Sequence, residues 1–242
     1  MSDTMTTIIC VSGPPFHSTM WSQVEKRLEA NGLTTESWSL FGTDTGNFQT
    51  ELSALVARLD DVMEPVVLVG HGLANPLVIA ATVAENVSGI VLSNGPLSHP
   101  GRWTSIVNWV GRTPVHLTMA WLRSSAGLRR LVVNPYVMDR DTTVAVCGPI
   151  IEDKHRRRCM RQYLASIEWS APKPGTKVLL CRGDSDPLTC RNNEFFINSF
   201  DGDVTQDPVP GGRMLHPLER PWELADRVAD WAAKHGTATQ MS

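Results

Sequence analysis

The chain has 242 residues, with 22 Lys and Arg against 25 Asp and Glu, and 42% of its residues are hydrophobic. That length fits one domain, or one core carrying a sizeable insertion. With 19% charged residues and eight Trp the composition excludes a disordered chain, and no apolar run approaches the ~20 residues that span a bilayer. A net charge of −3 argues against a nucleic-acid binder. The five cysteines (Cys10, Cys147, Cys159, Cys181 and Cys190) are odd in number and lack metal-ligand spacing. With no basic segment ahead of an apolar stretch in MSDTMTTIIC, they predict a reduced, cytoplasmic chain without a structural metal.

In chain order, Thr7–Ser12 (TIICVS) predicts a buried strand. Thr19–Ala30 follows as a helix with Trp21, Val24 and Leu28 on one face, stopped by Asn31-Gly32. A weaker strand lies near Thr34–Leu40, then a helix from Phe48 to Val62 with Leu52, Leu55, Val56 and Leu59 aligned. Pro65–Gly70 (PVVLVG) predicts a second buried strand, followed by an Ala-rich helix to Glu85 and a strand at Gly89–Ser93. Such β-α-β alternation implies a parallel, doubly wound sheet with ligands beyond the C-terminal strand ends.

Residues 96–172 form a compositional island with eleven Lys and Arg against five Asp and Glu, so the rest of the chain carries eleven against twenty. The island holds four Trp (Trp103, Trp109, Trp121, Trp169) and both Tyr (Tyr136, Tyr163), and reads as helical. After it the alternation resumes: a strand at Lys177–Arg182, a helix around Asn192–Phe200, a short strand near Asp203–Gln206 and a closing helix at Arg220–Lys234. The expected organisation is therefore a core, 1–95 and 173–242, with a helical cap, 96–172, inserted between two strands.

Three segments carry chemistry. Val66–Ala74 (VVLVGHGLA) has the Gly-x-x-x-small turn from strand to helix, Leu179–Leu188 (LLCRGDSDPL) ends its strand in Gly-x-x-Asp, and Pro210–Trp222 (PGGRMLHPLERPW) places a His just before the last helix. In this order they resemble the nucleophile elbow, acid loop and His loop of the α/β-hydrolase fold superfamily. The resemblance implies Asp186 as the acid and His216 as the base. At the nucleophile position stands Gly72, which has no side chain.

Ser12-Gly13 and Trp21 stand where the superfamily commonly has His-Gly after its first core strand and a Trp eight residues beyond the Gly. The residue after that Gly ordinarily donates a backbone N–H to the oxyanion hole, opposite the N–H after the nucleophile, here Leu73. This chain has Pro14 there, and proline has no N–H. Losing one oxyanion donor costs ~3 kcal/mol of transition-state stabilisation. The resemblance therefore preserves acid and base and breaks both devices that form an acyl-enzyme.

Three functions are compatible with that pattern. The first is an enzyme using His216 and Asp186 as a general acid/base pair for non-hydrolytic chemistry, whether elimination, isomerisation or ring closure, on a largely apolar carbonyl-containing small molecule of a biosynthetic pathway. The second is a non-catalytic pseudo-hydrolase that binds a ligand or serves as an accessory subunit. The third is a hydrolase whose water is activated directly by His216. Ser93 ends its strand at the cleft edge, and its simplest role is to satisfy backbone in a Ser-Asn-Gly turn. His17 offers a second imidazole across the pocket, and His71 is expected to pack beneath the elbow. Trp103, Trp109 and Trp121 are candidates for lining an apolar cavity under the cap or for packing cap helices. The positive cap could steer an anionic ligand or an acidic carrier protein. No phosphate-cradling glycine loop occurs, so no cofactor is expected.

Overall fold

The computed structural model describes residues 6–42, 46–97, 105, 109, 111–124, 139–186, 197, 200 and 202–236. Six strands form one sheet: β1 (Thr7–Ser12), β2 (Thr34–Trp38), β3 (Val66–His71), β4 (Val87–Ser93), β5 (Lys177–Cys181) and β6 (Val204–Gln206). Their order is β2-β1-β3-β4-β5-β6 and every pairing is parallel. Every residue of β1 and β3 is buried. Val, Ile and Leu runs of this kind suit a sheet covered on both faces.

Helix α1 (Ser22–Ala30) follows a 3₁₀ turn at Ser18–Trp21, and α2 (Phe48–Asp60) is capped by the Asn47 side chain accepting from Thr50 N–H. After β3 the chain makes a 3₁₀ turn at Gly72–Ala74, then the short α3 (Asn75–Ala80) and a second 3₁₀ turn at Ala81–Val83. The single helix expected up to Glu85 is therefore interrupted. Thr82 Oγ1 bonds back to the Ile79 carbonyl at 2.7 Å, and Ala84 is already extended.

Between β4 and β5 the described chain contains α4 (Val115–Leu122), α5 (Arg140–Ile151) and α6 (Lys154–Ser166). A one-turn helix α7 (His216–Glu219) leads into α8 (Pro221–His235), where the sequence predicted its closing helix. The helix expected over Asn192–Phe200, Trp103 and Cys190 lie outside the described residues, apart from Ile197 and Phe200. No described helix is long and apolar enough to cross a membrane.

Two glycines identify the sheet faces. A Cβ on Gly70 would meet Asn75 and Val78 of α3, whereas one on Gly89 would meet Trp231 of α8. Side chains alternate along a strand. His71, next to Gly70, and Ser93, four residues beyond Gly89, therefore both face the α1/α8 side, where α1 and α8 pack together. That is the side on which α7 delivers His216.

Candidate functional site

The turn after β3 is built by backbone contact. Gly72 has φ 64°, a left-handed conformation that favours glycine. Its N–H donates to the Asn94 carbonyl at 3.0 Å, and Gly13 N–H donates to the His71 carbonyl at 2.9 Å. A Cβ on Gly13 would collide with the backbone nitrogens of Leu73 and Ala74, and one on Gly95 with Gly72 itself. The ends of β1, β3 and β4 thus press together with no room for side chains between them. Pro14 is buried beside Gly13, and its peptide bond to Pro15 is cis.

Register places the chemistry. His71 pairs with Ser12 on one side and with Ser93 on the other, so the three side chains form one row at the C-terminal sheet edge. Ser93 Oγ lies 3.1 Å from His71 Nδ1 and 2.9 Å from His216 Nε2, so one hydroxyl bridges two imidazoles. The rings of His71 and His216 meet edge to face at 5.9 Å. Ser93, His71 and His216 are each 0% exposed. The plain turn role expected for Ser93 therefore gives way to a side-chain bridge. His71 packs behind the turn against Trp21 and Phe16 and also enters that bridge.

Asn94 holds His216. Its Oδ1 accepts from Gly183 N–H at 3.0 Å. Its Nδ2 donates to the carbonyls of Arg213 at 2.7 Å and Met214 at 3.3 Å, and lies 2.9 Å from His216 Nδ1. Its own carbonyl accepts from Gly72 N–H and from Asn75 Nδ2. One residue, at φ 38°, thus joins four loops. Asparagine tolerates this left-handed backbone better than most side chains.

These contacts fix the orientation of the Asn94 amide and bear on the His216 tautomer. Only an oxygen can accept from Gly183 N–H, and only an N–H can bond two carbonyls, so the amide nitrogen faces His216. With the amide nitrogen beside it, Nδ1 is placed to accept, an arrangement in which Nε2–H donates to Ser93 Oγ. A proton on Nδ1 would instead reach the Arg213 carbonyl at 3.2 Å and leave Nε2 to accept from Ser93 Oγ, with the Asn94 amide hydrogens turned to the two carbonyls. Burial pushes the His216 pKa down to about 4, partly offset by the Arg213 carbonyl. The His71 pKa lies well below its usual value, chiefly through burial and then through the neighbouring His216.

Asp186 was expected against His216. The structure instead places Asn94 there, and among the described residues Asp186 is not a partner of either ring nitrogen. The reason is local: Asp186 N–H folds back to the Gly183 carbonyl at 3.2 Å, and Gly183 is itself fixed to Asn94, which fills the space beside Nδ1. Asp186 is 1% exposed, and Asp184 accepts from Gly211 N–H at 2.8 Å.

The described contacts of the His17 ring are local. Its Nδ1 caps the Ser18–Trp21 turn by accepting from Thr19 N–H at 3.3 Å, and the residue's backbone N–H donates to Val146 of α5. Burial and Arg156 lower its pKa. Trp109 and Trp121 pack edge to face at 5.2 Å, with Trp109 45% exposed. Tyr163 was not singled out as a site residue. It is fully buried, its hydroxyl donates to the Leu73 carbonyl at 2.9 Å, and Phe41 and Phe48 flank its ring. Its polar tip on an apolar body is the signal that could have marked it.

The buried thiols of Cys147 and Cys181 are both pushed up to about 12 by burial, which leaves them unreactive. No group of three His, Cys, Asp or Glu among the described residues could hold a metal ion. A cleft of about 460 Å³ lies between α2, α3 and the 168–174 segment, and its lining shares no residue with the His216 network.

No protein-family model matches the chain, and no characterised protein matches it by sequence. Solved structures do match. The bromoperoxidase of Bacillus anthracis superposes with a TM-score of 0.73 at 12% identity, covering 95% of this chain and 92% of that one. ClbQ from the colibactin NRPS/PKS pathway gives 0.66 at 13%, covering 95% and 98%. The type II thioesterase BorB from the borrelidin biosynthetic cluster gives 0.66 at 18%, covering 96% and 93%. The chain has the α/β-hydrolase fold.

Proposed function

We propose that this protein is a non-catalytic pseudo-hydrolase, an accessory or binding protein that keeps the hydrolase scaffold and has converted its His216 into a structural pin. The observation that carries this reading is the Asn94 amide nitrogen 2.9 Å from His216 Nδ1. A base that activates a hydroxyl needs its lone pair on Nε2, with Nδ1–H held by an acceptor. In this reading that arrangement is reversed, because the group at Nδ1 is the Asn94 amide nitrogen. Gly72 and Pro14 remove the hydroxyl and one oxyanion donor, and burial, with no carboxylate on either ring nitrogen among the described residues, keeps the imidazole neutral. Superposing structures come from the colibactin NRPS/PKS pathway and the borrelidin biosynthetic cluster, which favours a place beside small-molecule biosynthesis, with a small molecule or an acidic carrier protein as what is bound. The test is treatment with a fluorophosphonate and an activated acyl ester, followed by intact mass. The expected mass is unchanged, and a stoichiometric adduct on Ser93 that requires His216 would overturn the reading.

A second reading is favoured by one observation, the unbroken His71–Ser93–His216 chain. Two imidazoles bracketing a hydroxyl are suited to moving a proton, so His216 would serve as general acid/base on an enolisable carbonyl compound without a covalent intermediate. Deuterium exchange separates the two readings. The pseudo-hydrolase incorporates no deuterium into enolisable ketones or acyl thioesters in D₂O beyond the His216→Gln variant, whereas a proton-transfer enzyme does.

A further inference from the structure

The cap helix α6, KHRRRCMRQYLAS, buries Cys159, Met160, Tyr163 and Leu164. Lys154, Arg158 and Arg161, at spacings of four and three, lie together on its exposed face. Arg157 turns inward and donates to the carbonyls of Gly111, at 3.3 Å, and Thr113, which clamps the 111–113 turn onto the helix. Gly111 packs against the Arg161 side chain, where a Cβ would lie 2.9 Å from Cγ. Arg112, next in sequence, is exposed on the turn that packs against Arg161. Trp109 stands on the same turn, its carbonyl accepting from Thr113 N–H and its ring steadied by Trp121. Leu117, 52% exposed, follows on α4.

We propose that the face formed by Trp109, Arg112, Arg158 and Arg161 is a docking surface for an acidic protein partner. Among the described residues no carboxylate pairs with Arg112, Arg158 or Arg161. The ion pairs found among the described residues, Arg27–Asp226, Arg58–Glu36, Arg220–Glu223 and Arg227–Asp207, lie in the sheet-bearing part of the chain. Arg161 also lowers the pKa of Arg157, after burial, so two like charges stand close together here. An exposed Trp with arginines around it has the composition of an interface hot spot with a polar rim. The same cap carries Asp139, Asp141, Glu152 and Asp153. That interleaving suits the spaced carboxylates of a folded partner better than a uniformly anionic polymer or lipid surface. Exposed ion pairs contribute little individually, so Trp109 supplies affinity and the arginines supply orientation and association rate.

The inference deepens the proposed reading by giving its acidic partner a surface, and its test is independent of His216. The probe is a fluorescent helical peptide with spaced Glu residues and a Leu stripe, titrated with the full chain by anisotropy. Binding is expected to weaken as salt rises, and to fall about tenfold or more in Arg112→Glu/Arg161→Glu and in Trp109→Ala, a loss of ~1.4 kcal/mol per decade. Lys26→Glu, an exposed cation on α1, makes the same kind of charge change elsewhere and is expected to leave affinity within about twofold. No peptide binding, equal loss in Lys26→Glu, or tighter binding of phosphatidylglycerol vesicles or a single-stranded oligonucleotide through the same residues would each overturn the proposal. None of these outcomes bears on His216, and an adduct on Ser93 bears on none of them.

Discussion

Asn94 turns its amide nitrogen, not its oxygen, to His216 Nδ1, at 2.9 Å. Asn94→Asp would replace that donor by a carboxylate oxygen. The His216 proton should move to Nδ1 and the ring pKa should rise from about 4, since an adjacent negative charge favours the cation. The carboxylate would also face the Arg213 and Met214 carbonyls that now accept from Nδ2. A stability loss of about 1–3 kcal/mol at neutral pH is expected from those lost bonds. NMR of the ring nitrogens and urea denaturation check the two effects separately.

The buried imidazoles make the fold acid-sensitive. The unfolded His216 binds its proton near pH 6.5, whereas the folded one resists until about 4, so the unfolded state takes up protons first as pH falls. His216 thus favours folding fully above pH 6.5, and its contribution shrinks between pH 6.5 and about 4, by ~3 kcal/mol in all. His71, held well below its usual value chiefly by burial, acts in the same direction. Urea midpoints at pH 7.5 and 4.5 should differ less in His216→Gln than in the wild type, a comparison from which the exposed carboxylates cancel.

Gly72→Ser restores the missing hydroxyl at φ 64°. A non-glycine residue held there costs roughly 1–3 kcal/mol, so the variant should be less stable. It should also remain nearly inert toward esters, because Pro14 and the His216 tautomer are unchanged. Thermal unfolding and p-nitrophenyl ester turnover provide the readouts, and brisk turnover would show that a single side chain separates this protein from a hydrolase.

Tyr163→Phe deletes the hydroxyl that donates to the Leu73 carbonyl. The ring packing against Phe41 and Phe48 is retained, so the loss should be about 1–2 kcal/mol, that of a buried carbonyl left without its donor. Hydrogen exchange at Leu73 and Ala74 should speed up more than exchange within β1, which locates the effect at the turn.

The six strands were legible because each is a short run rich in Val, Ile, Leu or Thr bounded by turn residues, and the boundaries moved by only a few positions, as where β4 begins at Val87 instead of Gly89. The turn at Gly72 was equally legible, since its small flanking residues are local. The His216 environment was not. That Ser93 meets His71 depends on the register of β3 against β4, and that Asn94 displaces Asp186 depends on Gly183 reaching across from β5. Neither relation has a sequence period. The one local clue was Ser93-Asn94-Gly95, where an Asn suited to left-handed backbone closes a strand at the sheet's C-terminal edge.

The central claim concerns one proton. Long-range ¹H–¹⁵N correlation spectra of uniformly labelled protein, assigned with His216→Gln, report which ring nitrogen carries it and at what pH the ring charges. The account predicts a neutral imidazole protonated on Nε2 at pH 7, with no titration until the pH falls toward 4. A proton on Nδ1, or a midpoint near 6.5–7, would give His216 the state of a working base and contradict the pseudo-hydrolase.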